Sequence, residues 1–269
     1  MSKSIMELIQ KRKSVRSYTN DLLSSTLVEE LKHYIAHLSA PFGVQARVEW
    51  VSTHIGDKPM KLGTYGIISG AQYFLCLLLE KNNPMAEVGG GYLFEQVVLH
   101  CTALDLGTCW LGATFNATHF LKQISLNENE ELAIISPVGH KKEKRSMVES
   151  LMRSAVGSDN RKEFGQLFYR NNFNESLDKK SAGYYEIPLE MVRLAPSASN
   201  KQPWRVLQED NGFHFYHLPN RFSLFDMGIA LCHFEQTCKE LKLNGCFQAL
   251  NSISSIGKLE YCMSWIPEQ

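Results

Sequence analysis

The chain has 269 residues, with 28 Lys or Arg and 28 Asp or Glu, so its formal net charge is zero. That neutrality argues against nucleic-acid-binding and membrane-surface proteins, which usually carry a basic excess. An apolar content of 44% with 21% charged residues suits a globular chain, and the length allows one large domain or two intimately packed ones.

No long apolar run follows Lys3, so no signal peptide is expected. The most apolar window, 67–79, is interrupted by Ser69, Gly70 and Gln72 and is too short to span a bilayer. Ile5, Met6, Leu8 and Ile9 form a helical stripe within 4–13, leading into Arg12-Lys13-Ser14-Val15-Arg16. Leu27, Leu31, Tyr34, Ile35 and Leu38 predict a helix over 26–38 that stops near Ala40-Pro41, because proline disfavours helix in the residue before it. Residues 47–52 read as a strand and 70–80 as a buried strand. Gly89-Gly90-Gly91 is expected to open a helix over 92–106, capped by Gly107. A short helix over 118–124 and a strand over 132–138 follow, and the strand runs into Gly139-His140-Lys141-Lys142-Glu143-Lys144-Arg145. The polar stretch 146–183 is expected to be helical, with 161–169 as one amphipathic piece.

The segment 184–194 reads as helical beyond Pro188, which suits a first helical turn, and leads to Ala195-Pro196-Ser197-Ala198-Ser199-Asn200-Lys201-Gln202-Pro203-Trp204. Its hydroxyls and carboxamides can face both donor and acceptor edges of a flat polar ring. Strands over 204–209 and 212–218 form a hairpin around Asp210-Asn211-Gly212, followed by a helix over 226–243 and a strand over 258–265.

The two long helices overlay without gaps at an offset of 137 residues. Gly91 then meets Gly228, Cys101 meets Cys238, Leu104 meets Leu241, Leu106 meets Leu243, Cys109 meets Cys246 and Trp110 meets Phe247. Each half reads helix, Ala-Pro turn, strand, strand, long helix, aromatic turn, strand, which is the pattern of a duplicated unit. The paired cysteines are therefore packing positions of a repeat, and no metal site is expected. Seven scattered cysteines with no Cys-x-x-Cys favour reduced thiols and a cytoplasmic protein.

Arg12, Lys13, Ser14 and Arg16 offer the cationic and hydroxyl donors that a phosphate takes, although a solvated basic helix end would look the same. Four segments together resemble the FMN-dependent nitroreductase family: Arg12 to Arg16, the Asn200-x-Gln202-Pro203-Trp204 segment with Pro196 and Ser197, Leu104 to Trp110, and Gly139 to Arg145. The resemblance implies an α+β nitroreductase-like fold, with mixed or antiparallel sheets flanked by helices. It also implies non-covalent FMN and NAD(P)H as electron donor. Carried over by position, Arg12, Lys13, Ser14 and Arg16 would hold the phosphate and ribityl chain, completed by Lys144 or Arg145. Gly139 and His140 lie at the same end, where His140 would add a donor. Ser197, Asn200 and Gln202 would meet the flavin's polar edge, with Pro196 lining it. Leu111 and Gly112 would lie beneath the ring, with a backbone N–H toward N5. No catalytic acid or base is implied.

The halves are complementary. After Ala40-Pro41 the first half lacks the Ser, Asn and Trp of the second, and the second lacks Arg-x-Ser-x-Arg. The expectation is a single chain that imitates the family homodimer, with half 1 over 1–150, a helical connection over 151–183 and half 2 over 184–269. It would be a monomer with one composite FMN site, reducing a small electron acceptor such as a nitroaromatic or quinone, with further oligomerisation left open. Two other readings stand beside it: a flavin-binding protein without turnover, its slot blocked by Phe42, Tyr65 and Phe225, and an interaction scaffold in which both sites have decayed.

Overall fold

The structure, a computed structural model, describes residues 3–55, 58–59, 63–143, 150, 157 and 160–268. They divide into two compact units, Lys11–Gly157 and Met1–Gln10 with Ser158–Gln269.

The 11–157 unit begins with the end of α1 (Ile5–Lys11) and holds α2 (Ser25–Ala36), β1 (Ala46–Ser52), a small ribbon of β2 (His54–Ile55) and β3 (Lys58–Pro59), β4 (Tyr73–Glu80), α3 (Pro84–Ala103), β5 (Gly107–Thr108), α4 (Ala117–Leu121) and β6 (Glu130–Gly139). Its four-stranded sheet has the order β1-β4-β6-β5 and is antiparallel throughout. Side chains alternate faces along a strand, so Phe74, Cys76 and Leu78 of β4 join Val51, Phe120 and Ile135 in one core cluster. Leu77 and Leu79, on the other face of β4, lie beside α3. Both faces are covered, which is why β4 reads as an unbroken apolar run.

Helix α3 starts earlier than the glycine run suggests. Asn83 caps it by accepting the Met85 N–H at 3.1 Å, and Pro84 takes the first helical position. The glycines therefore lie inside the helix, where each costs about 1 kcal/mol relative to alanine. Close packing explains two of them. A methyl on Gly89 would stand 2.4 Å from Val44 Cγ2 and 3.0 Å from the Pro41 carbonyl, and one on Gly90 would press on Leu77 and Leu79. Gly89→Ala is expected to destabilise the protein by about 1–3 kcal/mol despite alanine's better helix propensity; a raised midpoint of thermal unfolding would contradict this packing.

The other unit contains β7 (Phe168–Arg170), β8 (Asn172–Ser176), α5 (Glu186–Arg193), β9 (Trp204–Glu209), β10 (Gly212–His217), α6 (Ser223–Glu240), β11 (Gly245–Gln248) and β12 (Glu260–Pro267). Its mixed sheet has the order β11-β12-β10-β9-β7-β8, with β7 parallel to β9. The expected helical connection over 151–183 is corrected here. Among its described residues, 168–176 form two strands, and helical turns are confined to the 3-10 segments at 164–166 and 180–185. Leu167 and Phe168 bury themselves beside β9, whose Val206 N–H donates to the Leu167 carbonyl at 2.9 Å. So short an apolar pair carries no period that distinguishes helix from strand.

Reading β9-β10-β12-β11 against β1-β4-β6-β5 gives the same antiparallel order, with a long helix after the second strand in each case. The helix ends also match. Leu106 donates to the Cys101 carbonyl and Asp105 to that of Thr102; Leu243 donates to Cys238 and Lys242 to Lys239. Asp105 (φ 60°) and Lys242 (φ 58°) take the left-handed position. Both ends are Schellman motifs, which favour an apolar pair at the third-last helical residue and the second beyond the cap. That is where the repeated Cys and Leu residues stand. The left-handed role expected of Gly107 thus belongs to Asp105. No helix among the described residues is long and apolar enough to cross a membrane.

Candidate anion and flavin site

After α1 the chain runs extended and is stitched into the 11–157 unit. Ser14 bridges Thr108, the Val15 N–H donates to the Thr108 carbonyl at 2.8 Å, and Tyr18 bridges Lys141. Thr19 donates to the His140 carbonyl and Lys142 to that of Ser17. Tyr18 is fully buried, and its hydroxyl donates to the Val15 carbonyl at 2.6 Å. Gly107 is required beneath this arrangement, since a methyl there would lie 2.9 Å from both Val15 Cβ and Lys141 Cγ.

The result is a cleft of about 190 Å³ lined by Lys11, Arg12, Lys13, Ser14, Lys141, Lys142 and Glu143, together with Thr102 and Gly107. Five cations face one carboxylate. Two of the cations are already neutralised. Lys11 pairs with Asp105, and the buried Arg12 places Nε 3.7 Å from Oε1 of Glu95, which is wholly buried. The other Glu95 oxygen accepts the Trp110 indole N–H at 2.9 Å. Among the described residues Lys13, Lys141 and Lys142 have no carboxylate partner, so the cleft keeps a positive excess that an anion can satisfy.

The structure thus brings Arg12, Lys13 and Ser14 together. Arg16 lies outside the cleft, and its Nε and Nη1 are buried with no hydrogen-bond partner among the described residues. Gly139 pairs with Gly107 across β5 and β6. His140 is exposed and does not line the cleft; its carbonyl holds Thr19. Lys144 and Arg145 lie outside the described residues. The Leu111 amide is corrected: its N–H donates to the Ile135 carbonyl at 2.9 Å and its carbonyl accepts from Ile135 at 3.0 Å, so it has no free N–H for a ring nitrogen. Gly112 beside it is half-buried. Sequence reasoning missed Lys11, Lys141 and Lys142 as lining residues, although the basic run after Gly139 pointed to the segment. It also missed Glu95, whose signal was a carboxylate inside an apolar helix.

In the other unit, residues 195–204 form a tight turn in which Ser199, Asn200 and Gln202 have positive φ. Pro196 and Ser197 are half-buried, and the Ser197 hydroxyl accepts the Gln202 N–H at 2.8 Å. The carboxamides are largely committed within the unit. Asn200 accepts from Arg161 Nη1 at 2.9 Å and donates to the Asn160 carbonyl at 2.7 Å. Gln202 is buried and accepts the Lys162 N–H at 2.8 Å. Gln202 thus anchors the 160–162 segment, a role its sequence position does not announce. Asp226, in the first turn of α6, holds the turn from below by accepting the Ala198 N–H at 2.9 Å. Burial pushes its carboxyl up to about 7, against the lowering effect of the Ala198 hydrogen bond and of Lys201. His233 is buried and bonds the Met191 carbonyl at 2.9 Å, which makes it a packing residue between α5 and α6.

A family model described as "Putative TM nitroreductase" matches residues 4–238. The chain belongs to this nitroreductase family. Among solved structures, a "putative nitroreductase" of Thermotoga maritima matches with a TM-score of 0.61 at 20% identity, covering 99% of this chain and 94% of that one. What the two share is the fold. A "putative nitroreductase in complex with FMN" of Desulfovibrio desulfuricans has a TM-score of 0.41 and 21% identity, covering 56% of this chain and 96% of its own. A nitroreductase of Bacteroides fragilis with bound FMN has 0.42 and 19%, covering 54% and 92%. No curated protein matches the chain. Within this family member, the described residues include no group of three His, Cys, Asp or Glu that could hold a metal ion.

Proposed function

We propose that this nitroreductase-family chain binds FMN and passes electrons from NAD(P)H to a small acceptor such as a nitroaromatic or quinone. The observation that carries the reading is the cationic cleft, where Lys13, Lys141 and Lys142 stand around Ser14 without carboxylate partners among the described residues. This donor set fits a phosphate monoester, which takes charged and hydroxyl donors together. Bound FMN would supply hydride transfer through its N5 position. Lys13, Ser14, Lys141 and Lys142 would fix the phosphate, with Arg12 held at the cleft wall by Glu95. The buried donor atoms of Arg16 suit an acceptor edge of the ring, where a cation favours the reduced, anionic form. By resemblance, Pro196, Ser197 and Asn200 serve the same flavin. Gln202 acts through the turn it braces, and Gly112 stands for the N–H that Leu111 has spent. The free cysteines accord with a cytoplasmic protein.

Duplication is supported by the shared sheet order and the paired Schellman ends, and it predicts a monomer carrying one FMN. Flavin fluorescence titration tests the binding. Wild type should prefer FMN to riboflavin, which lacks the phosphate, and Lys13→Gln with Lys141→Gln should raise the FMN Kd about 10- to 100-fold while sparing riboflavin. Arg12→Gln and Asn200→Ala should each weaken that one FMN. Equal affinity for FMN and riboflavin would end the cleft assignment; bound flavin that NAD(P)H leaves oxidised would end the enzymatic one.

A further inference from the structure

A second group of cations, a pair with no carboxylate partner among the described residues, lies in the 158–269 unit. Lys162 Nζ and Arg205 Nη1 both reach the carbonyl oxygen of Gln202, at 3.5 Å and 3.1 Å, and Arg205 Nη1 also donates to the Trp204 carbonyl at 2.5 Å. One neutral oxygen is thus shared by two positive charges, within the span of a single phosphate group. Both side chains are half-buried, and neither has a carboxylate partner among the described residues. The nearby cation Arg193 shows the contrast, since it is paired with Glu190.

The corresponding position in the other sheet sharpens the point. Arg205 is the second residue of β9, and Arg47 is the second residue of β1, which has the same place in its sheet order. Arg47 is neutralised by a two-pronged bond to Glu130, at 2.8 Å from each of Nε and Nη2, and by Glu49. Arg205 has no such carboxylate pair among the described residues, and what it meets instead is Lys162, at the same carbonyl oxygen. Burial and the neighbouring Arg205 lower the Lys162 pKa, and burial lowers that of Arg205, so each cation is held at a cost that a bound anion would remove.

We propose that Lys162 and Arg205 form a second anion site, which takes the 2′-phosphate monoester of NADPH and so makes this protein prefer NADPH to NADH. Two positive charges match a dianion, the guanidinium offering paired donors and the ammonium a point charge. The site borders the turn that the proposed function assigns to the flavin, since Gln202 belongs to both. The choice of NADPH as the source of the phosphate rests on that function; the anion site itself does not.

The experiment compares NADP⁺ with NAD⁺, which differ by that one phosphate monoester, in calorimetric titrations of the FMN-loaded protein. NADP⁺ should bind about 10- to 100-fold more tightly. Lys162→Gln and, separately, Arg205→Gln should each shrink that ratio, with Arg205→Lys retaining part of it, and inorganic phosphate should compete with NADP⁺ in wild type only. Equal affinities in wild type, or a ratio that survives both substitutions, would overturn the proposal. If the protein takes up no FMN, the proposed function fails and the titration moves to the Lys13→Gln, Lys141→Gln chain, whose first cleft is silenced. Competition by phosphate that depends on Lys162 there would leave an anion site; its absence would remove that too.

Discussion

Replacing Glu95 with alanine is expected to cost about 3–5 kcal/mol of stability, the penalty typical of breaking a buried ion pair from one side. Glu95 has no exposed surface, and its two oxygens serve different parts of the 11–157 unit: one faces Arg12 Nε, the other accepts the Trp110 indole. Alanine leaves a nearly buried guanidinium without its counter-charge and an indole N–H without its acceptor. Glu95→Gln keeps an oxygen for Trp110 but loses the charge, so it should cost less than alanine and still weaken the Arg12 wall of the cleft. Urea unfolding followed by tryptophan fluorescence reads both. A loss below about 1 kcal/mol for alanine, the range of an exposed pair, would show that Glu95 does not organise this corner.

The pH dependence of stability should change when Asp226 is replaced by asparagine. Its carboxyl is pushed up to about 7 in the folded protein, from an ordinary 3.8, chiefly by burial. The folded state therefore holds the proton more tightly than the unfolded chain does. The resulting stabilisation is fully present below the unfolded value and is lost as pH rises through about 7, on the order of 4 kcal/mol in all. Buried His214 and His217 act in the opposite direction, since burial lowers their pKa values and acid forces a charge on them. The informative quantity is thus the difference between wild type and variant, measured by urea unfolding at a series of pH values from about 4 to about 8. Asparagine keeps an oxygen for the Ala198 N–H and cannot ionise, so its advantage over wild type should grow with pH. A difference that stays flat across the range would mean Asp226 titrates normally.

Much of the fold was legible from local pattern. The helical spacing of Leu27, Leu31 and Tyr34 matches α2, and Asp210-Asn211 forms the two-residue loop of the hairpin in which Glu209 pairs with Gly212. The offset of 137 residues picked out two helix ends with the same hydrogen bonds. The failures were places where a local signal had a distant cause. Gly89 resembled a helix opener, but its smallness serves Val44 and Pro41. The strands at 168–176 exist because β9 offered an edge. Leu111 looked available until Ile135, across the sheet, took both its backbone groups.

By itself the sequence determined the apolar periods, the turn residues, the basic segment after α1 and the segments by which the chain resembles its family, because these depend on neighbours in the chain. Only the tertiary structure decided which charges are neutralised. Arg12, Lys13, Arg47, Lys162 and Arg205 are equivalent as letters, yet Arg12 finds Glu95 and Arg47 finds Glu130, each more than 80 residues away in sequence. Lys162 and Arg205 share a carbonyl and find no carboxylate among the described residues. Coulomb energy depends on separation and on burial in space, and both are fixed by how strands pair and helices pack.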